Sequence, residues 1–243
     1  MKAMIFAAGM GTRLKPLTDT MPKALVPVAG KPLLAHVIEK LKAAGFDEIL
    51  INVHHFPDQI ISFVHNNNSF GIRIAFSDER DLLLETGGGI RHAASFFDDG
   101  QPFLVHNVDI LSTLNIAELM QQHRRTNPLA TLVVSKRDTF RYLLFSDDQR
   151  LQGWINEKTG ETRPDELTHA DRYNKYAFSG IQVLSPGVFE LMQHYPQKFP
   201  IMDFYLQNCR TQNILSFVPE NYRMIDVGKL NVLDEANSFF NPE

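Results

Sequence analysis

The residues best suited to chemistry stand near the start of the chain. From Phe6 to Leu34 the sequence reads FAAGMGTRLKPLTDTMPKALVPVAGKPLL. An apolar run breaks at Gly9-Met10-Gly11, and Arg13, Lys15 and Lys23 follow in a stretch punctuated by prolines. Glycines after a strand let backbone N–H groups approach a base or a phosphate with no side chain in the way. Arg13 offers a forked donor to phosphate oxygens. Lys23 offers a compact charge where a pyrophosphate could leave. A dinucleotide fingerprint needs a third glycine, and Leu14 stands in its place. The phosphate-loop string G-x-x-x-x-G-K-[ST] does not occur. A turn with solvated cations is the plain alternative, and Pro22-Lys23 and Pro27 count against it.

These residues need a scaffold, and the apolar periodicity supplies one. Strands are expected at Ala3 to Ala8, Glu48 to Val53, Ile72 to Phe76, Pro102 to His106 and Ala130 to Ser135. Helical spacing occupies Leu33 to Ala44, Pro57 to His65, Gly88 to Phe97 and Ile116 to Arg124. The alternation predicts an α/β fold: a Rossmann-like, doubly wound, mostly parallel mixed sheet in a three-layer α/β/α arrangement. From Tyr142 to Leu184 the pattern changes to shorter strands, with a loop-like insert at Lys158 to Asn174. Helices are expected at Pro186 to His194, Met202 to Cys209 and Leu230 to Phe239, and a strand at Ile214 to Val218. No linker or repeat interrupts the chain. The expectation is one domain, 1–243, with a nucleotide-binding half (1–135) and a sugar-binding half (136–243).

Composition narrows the function classes. Of 243 residues 44% are hydrophobic and 21% charged, enough for a sizeable core. A net charge of −4 gives no bulk basic field, so nucleic acid is not an expected partner and an anionic ligand needs a local cluster of cations. Cys209 is the single cysteine, which excludes an internal disulfide and fits a reducing cytoplasm. Met1-Lys2 leads into a strand-like run without a signal-peptide pattern, and no apolar run is long enough to span a bilayer. The histidines His54, His55 and His106 match no common ligand spacing and are expected at the surface or as caps. Trp154 is expected in the core or in a pocket wall.

Five motifs in order resemble the sugar-1-phosphate nucleotidyltransferases. Ala7-Ala8-Gly9-Met10-Gly11-Thr12-Arg13-Leu14 with Pro22-Lys23-Ala24-Leu25 is similar to the family's G-x-G-T-R and P-K-P-L, with Ala24 replacing the second proline. Glu85-Thr86-Gly87-Gly88-Gly89-Ile90 resembles its glycine-rich base-recognition loop, above all in short uridylyltransferases acting on N-acetylmuramate 1-phosphate. Asn107-Val108-Asp109 stands where the family has a strand ending in G-D. Phe178-Ser179-Gly180-Ile181 resembles the sugar-pocket strand, and Ile225-Asp226-Val227-Gly228 the W-x-D-V-G that carries a second metal-binding aspartate. Glu157-Lys158 resembles a sugar- and phosphate-contacting pair, although a hairpin turn would explain it equally.

The resemblance implies transfer of a nucleoside monophosphate from a nucleoside triphosphate to a sugar 1-phosphate, with pyrophosphate leaving. Two polyanions must meet, so the barrier is electrostatic and positional. It implies Mg2+ on Asp109 and Asp226, because magnesium takes a few carboxylates together with substrate oxygens. Arg13 and Lys23 become the catalytic cations. Ala7, Ala8, Gly9, Gly11, Thr12, Glu85, Thr86, Gly87 and Gly88 become nucleotide contacts, and Asn107, Glu157, Ser179 and Gly180 sugar contacts. UTP with an N-acetylmuramate- or hexose-type phosphate is the first expectation. A guanylyltransferase acting on mannose or heptose 1-phosphate, or a catalytically weak nucleotide-sugar-binding module, is the alternative. A Rossmann oxidoreductase is disfavoured by Leu14. Two departures stand out: β-branched Val108 precedes the metal aspartate in place of glycine, and Ile225 replaces an aromatic residue.

Overall fold

The computed structural model describes residues 1–165, 167 and 169–239. Strands and helices follow in the order β1 (Lys2–Phe6), β2 (Pro27–Val28), β3 (Lys31–Pro32), α1 (Leu33–Ala43), β4 (Glu48–Val53), α2 (Pro57–Asn66) and β5 (Arg73–Asp78). Next come α3 (Glu85–His92), β6 (Phe103–Asn107), β7 (Ile110–Ser112), α4 (Ile116–Thr126), β8 (Ala130–Ser135), β9 (Arg141–Phe145), β10 (Leu151–Asn156) and β11 (Glu161–Arg163). The chain closes with β12 (Asn174–Leu184), α5 (Val188–Met192), α6 (Ile201–Asn208), β13 (Ile214–Phe217), β14 (Met224–Asp226) and α7 (Leu233–Ser238). These pack as two compact units, each discontinuous in sequence.

The first unit holds residues 1–84, 103–116 and the chain from Arg223 onward. Its strands lie in the order β6-β1-β4-β5, every neighbouring pair parallel. Parallel strands are covered on both faces, and the sequence shows it: Ala3, Met4, Ile5, Ile49, Ile51 and Val53 are all fully buried. Helix α1 buries Leu34, Val37, Ile38 and Leu41, the i, i+3, i+4, i+7 stripe of an amphipathic helix. Gly45, at φ +87°, lets the chain turn back towards β4, and Phe46 N–H donates to the Leu41 carbonyl.

The second unit holds residues 85–102 and 117–222. Here β11, β10, β9 and β12 pair antiparallel in that order, β12 pairs antiparallel with β8, and β13 joins β8 in parallel. Residues 85–102 and 117–135 therefore belong with the second unit.

The expected α/β class holds, with β4 and β8 at their anticipated bounds. Several local readings need correction. Helix α3 begins at Glu85 and ends at His92, so the Glu-Thr-Gly-Gly-Gly stretch is helix and not loop. The short pair β7/β14 is invisible to periodicity, because three-residue strands carry no period. The 158–174 insert contains β11 and a 3₁₀ turn at Ala170–Arg172, while 166 and 168 lie outside the described residues. The closing helix is a 3₁₀ turn at Leu230–Val232 followed by the short α7.

Candidate active site

The first glycine-rich stretch leaves β1 as a turn held from below. The amides of Ala7 and Ala8 donate to Asn52 Oδ1 at 2.7 and 3.2 Å. From Gly9 to Arg13 no backbone N–H meets an acceptor among the described residues. Gly11 sits at φ +63°, and a Cβ there would lie 2.8 Å from Thr18 Cγ2. Its carbonyl accepts from Thr18 Oγ1 and from Leu14 N–H, both at 2.8 Å. The requirement for glycine is therefore steric and conformational together. Thr12–Leu14 forms a 3₁₀ turn anchored by the buried Leu14, which leaves Arg13 projecting from it.

Two short strands bring the carboxylates together. Asp109 lies between β6 and β7, and Asp226 ends β14 opposite Ile110. The Val227 amide donates to the Asp109 carbonyl at 2.8 Å. Lys23, in a 3₁₀ turn after Pro22, reaches Asp109 as an ion pair with side chains only 11% and 18% exposed. Arg13 completes the group. A Cβ on Gly228 would lie 2.7 Å from Asp226 Oδ1 and 2.8 Å from Arg13 Nη2, so the absent side chain keeps both groups where they are. Four residues named from the sequence thus converge in the first unit, with two positive and two negative charges.

Their support is partly buried. The Lys40 ammonium of α1 donates to the Ser112 carbonyl of β7 at 2.5 Å, and burial lowers its pKa to about 8. His106 is fully buried, against the expectation of a surface or capping role; it lies on β6 opposite Ile5, itself fully buried on β1. Burial pushes its pKa down to about 4, and its Nδ1–H donates to the Asn107 carbonyl at 2.8 Å. His54 and His55 hydrogen-bond to the carbonyls of Glu79 and Thr18. Val108 is buried, and its amide donates to the Phe6 carbonyl, so its bulk joins the core. Ile225 is likewise buried.

The remaining sequence-named residues lie mostly in the second unit. Thr86 Oγ1 accepts from the Ile201 amide at 2.8 Å, and the amides of Gly87 and Gly88 both donate to the Phe199 carbonyl at 2.9 and 3.1 Å. The Phe199 ring fills the place where a Gly87 Cβ would be. Glu85 stands at φ +62° with Lys198 Nζ 3.8 Å away. Ser179 and Gly180 fall in an irregular stretch of β12, where Gly180 takes φ +72° and the buried Ser179 Oγ has no hydrogen-bond partner among the described residues. Glu157 pairs with Lys175 at 2.8 Å beside the β10–β11 turn, in keeping with the hairpin reading. Trp154 lines a cavity of about 340 Å³ with Arg141, Asn156, Met202 and Leu206, and the Arg163 guanidinium lies 5.5 Å from its ring centre. Asn107 ends β6 in the first unit.

The donor set suits magnesium in kind. Two carboxylates on adjacent strand ends, next to cations able to hold phosphate, match an ion that takes one or two protein carboxylates and completes its shell with substrate oxygens and water. Among the described residues no cluster of three or more His, Cys, Asp or Glu forms a closed metal cage.

The family model for nucleotidyl transferases matches residues 2–242. The chain belongs to that family. An N-acetylmuramate alpha-1-phosphate uridylyltransferase from Caulobacter vibrioides is 47% identical over 109 residues, covering 44% of this chain and 45% of the relative. A mannose-1-phosphate guanyltransferase from Yarrowia lipolytica is 32% identical over 237 residues, covering 94% of this chain and 61% of the relative. The chain thus spans roughly half the length of the curated relatives it matches, 45% and 61% in these two cases. The fold matches the crystal structure of HddC from Yersinia pseudotuberculosis complexed with GMP-PN, with TM-score 0.79, 23% identity and 99% of both chains covered. No described helix of this nucleotidyl transferase family member is long and apolar enough to cross a membrane.

Proposed function

We propose that this protein transfers a nucleoside monophosphate from a nucleoside triphosphate to a sugar 1-phosphate and releases pyrophosphate. The observation that carries the reading is the convergence of Arg13, Lys23, Asp109 and Asp226 beside five amides, Gly9 to Arg13, that have no partner among the described residues. Such a row of backbone N–H groups is an anion-binding concavity. Asp109 and Asp226 would hold Mg2+, which when bound neutralises phosphate charge and aligns the phosphates.

The chain's own groups then divide the work. The Gly9–Arg13 amides bind and orient the triphosphate. Arg13 stabilises the charge that grows on the phosphates during displacement. Lys23, paired with Asp109, is placed to exchange that partner for a phosphate oxygen. The attacking group is the oxygen of the sugar phosphate itself, so no nucleophilic side chain is needed. Asn107, Glu157, Ser179 and Gly180 are assigned to the sugar.

UTP with an N-acetylmuramate-type sugar phosphate is the first substrate pair, supported by the 47% local identity to such a uridylyltransferase. GTP with mannose 1-phosphate is the second, supported by the longer 32% match to a guanyltransferase. Pyrophosphate release in magnesium, measured for four nucleoside triphosphates against N-acetylmuramate, mannose, glucose and heptose 1-phosphates, separates them. Release that requires one nucleotide and one sugar phosphate supports the reading. Nucleotide binding without release in any pair would leave a binding module in its place.

A further inference from the structure

We infer that Asn52 and Glu79 form a buried relay that positions the nucleotide-binding turn; the inference rests on the function proposed above and deepens it. Neither residue carries a sequence motif. Asn52 lies on β4 opposite Phe6, the last residue of β1, so its side chain stands beside the point where the turn begins. Its Oδ1 accepts from both Ala7 and Ala8, which fills the two lone pairs of the amide oxygen. Its Nδ2 donates to Glu79 Oε1 at 2.9 Å, and Glu79 Oε2 accepts from the Leu84 amide at 3.0 Å. Glu79 is fixed in turn by its own backbone. Its N–H donates to the Val53 carbonyl at 2.8 Å, and its carbonyl accepts from His54 Nδ1 at 2.7 Å.

Both residues are 3% exposed. Burying a carboxyl and an amide between strand ends is expensive, and a well-packed apolar pair would hold the strands at least as well. The polar pair does what an apolar pair cannot. It occupies two successive amides at the root of the turn, so the five that follow are the ones left without a partner among the described residues. It also ties the turn to Leu84, whose next residue, Glu85, holds an unfavourable φ of +62°. Asn52 and Glu79 are positioning residues: they touch the backbone that is to meet the nucleotide, not the nucleotide.

The hydrogen-bond polarity can be reversed without losing a bond. Asn52→Asp alone sets two carboxylates against each other. Glu79→Gln alone sets an amide donor against a donor. In the double variant the new carboxylate at position 52 accepts from Ala7, Ala8 and the new side-chain amide at position 79. The amide oxygen at position 79 still accepts from Leu84. Calorimetry with UTP and with GTP, each in magnesium, should show each single variant binding the accepted nucleotide at least about tenfold more weakly, a difference of about 1.4 kcal/mol. The double variant should recover to within about threefold of wild type, and the KM for the sugar phosphate should stay unchanged throughout. A merely structural pair would lower the melting temperature and leave nucleotide affinity and its reciprocal rescue untouched. Single variants that bind like wild type, or a folded double variant as weak as the worse single, would overturn the inference. If a single variant does not fold, the double variant alone decides by the same criterion. Failure of the functional reading looks different: wild type itself would bind neither nucleotide.

Discussion

Two glycine-rich stretches of this chain look alike and use their backbone donors differently. Gly9 to Gly11 follows a strand, and a Cβ on Gly9 would meet nothing within 4 Å. Its amides and those through Arg13 have no partner among the described residues. Gly87 to Gly89 lies within helix α3; Gly87 is crowded by Phe199, and the amides of Gly87 and Gly88 are taken by the Phe199 carbonyl. A glycine can serve a ligand by leaving backbone donors open, or serve the fold by letting a ring come close. What distinguishes them is where the hydrogen bonds go, and composition alone does not show that.

The largest effect should come from the carboxylates beside the open stretch. Asp109→Asn and Asp226→Asn should each lower turnover by about a thousandfold, with the melting temperature little changed, because each removes charge from the proposed metal and phosphate site. Steady-state pyrophosphate release checks this; near-normal rates in both would detach the open stretch from catalysis. Next comes the contrast between the glycines. Gly87→Ala should destabilise by about 1–3 kcal/mol, the usual range for overpacking, since the Phe199 ring must move. Gly9→Ala should leave stability within about 0.5 kcal/mol and weaken nucleotide binding about tenfold. Denaturant melts paired with calorimetry separate the two, and identical behaviour of both variants would erase the distinction.

The last effect is on pH dependence and concerns the buried histidines, one in each unit. Burial lowers His106 and His123 to about 4 from 6.5. The unfolded chain binds protons at these sites below about 6.5, and the native chain only near 4. Stability is therefore complete above the unfolded value and is lost as pH falls towards the folded one, at up to about 1.4 kcal/mol per pH unit for each histidine. Unfolding free energies measured between about pH 6.5 and 4 should show this slope. A flat profile would mean that both rings take up protons freely in the fold.

The legible parts of the molecule were the local ones. β4 and β8 are predominantly apolar runs, and their bounds could be read directly. The first turn was legible because its glycines, Arg13 and Lys23 lie close together in sequence. The start of α3 was not, because three glycines argue against helix and the Phe199 carbonyl that takes the Gly87 and Gly88 amides is remote in sequence. The burial of His106 is not legible, because one histidine at the end of an apolar run carries no sign of how deeply that run is covered. Asn52 and Glu79 were missed because their partnership exists only where the ends of β1, β4 and β5 come together. Val108 looked like an obstacle beside Asp109, and it is a buried extension of the β6 ladder.

The most direct test of the Arg13, Lys23, Asp109 and Asp226 site is a calorimetric titration of UTP and of GTP, with magnesium and with chelator, into wild type and Asp226→Asn. One nucleotide should bind wild type tightly in magnesium, lose at least about tenfold in chelator, and bind the variant weakly under both conditions. Equal affinity in all four experiments would contradict the account, because neither the metal nor the aspartate could then belong to the nucleotide site.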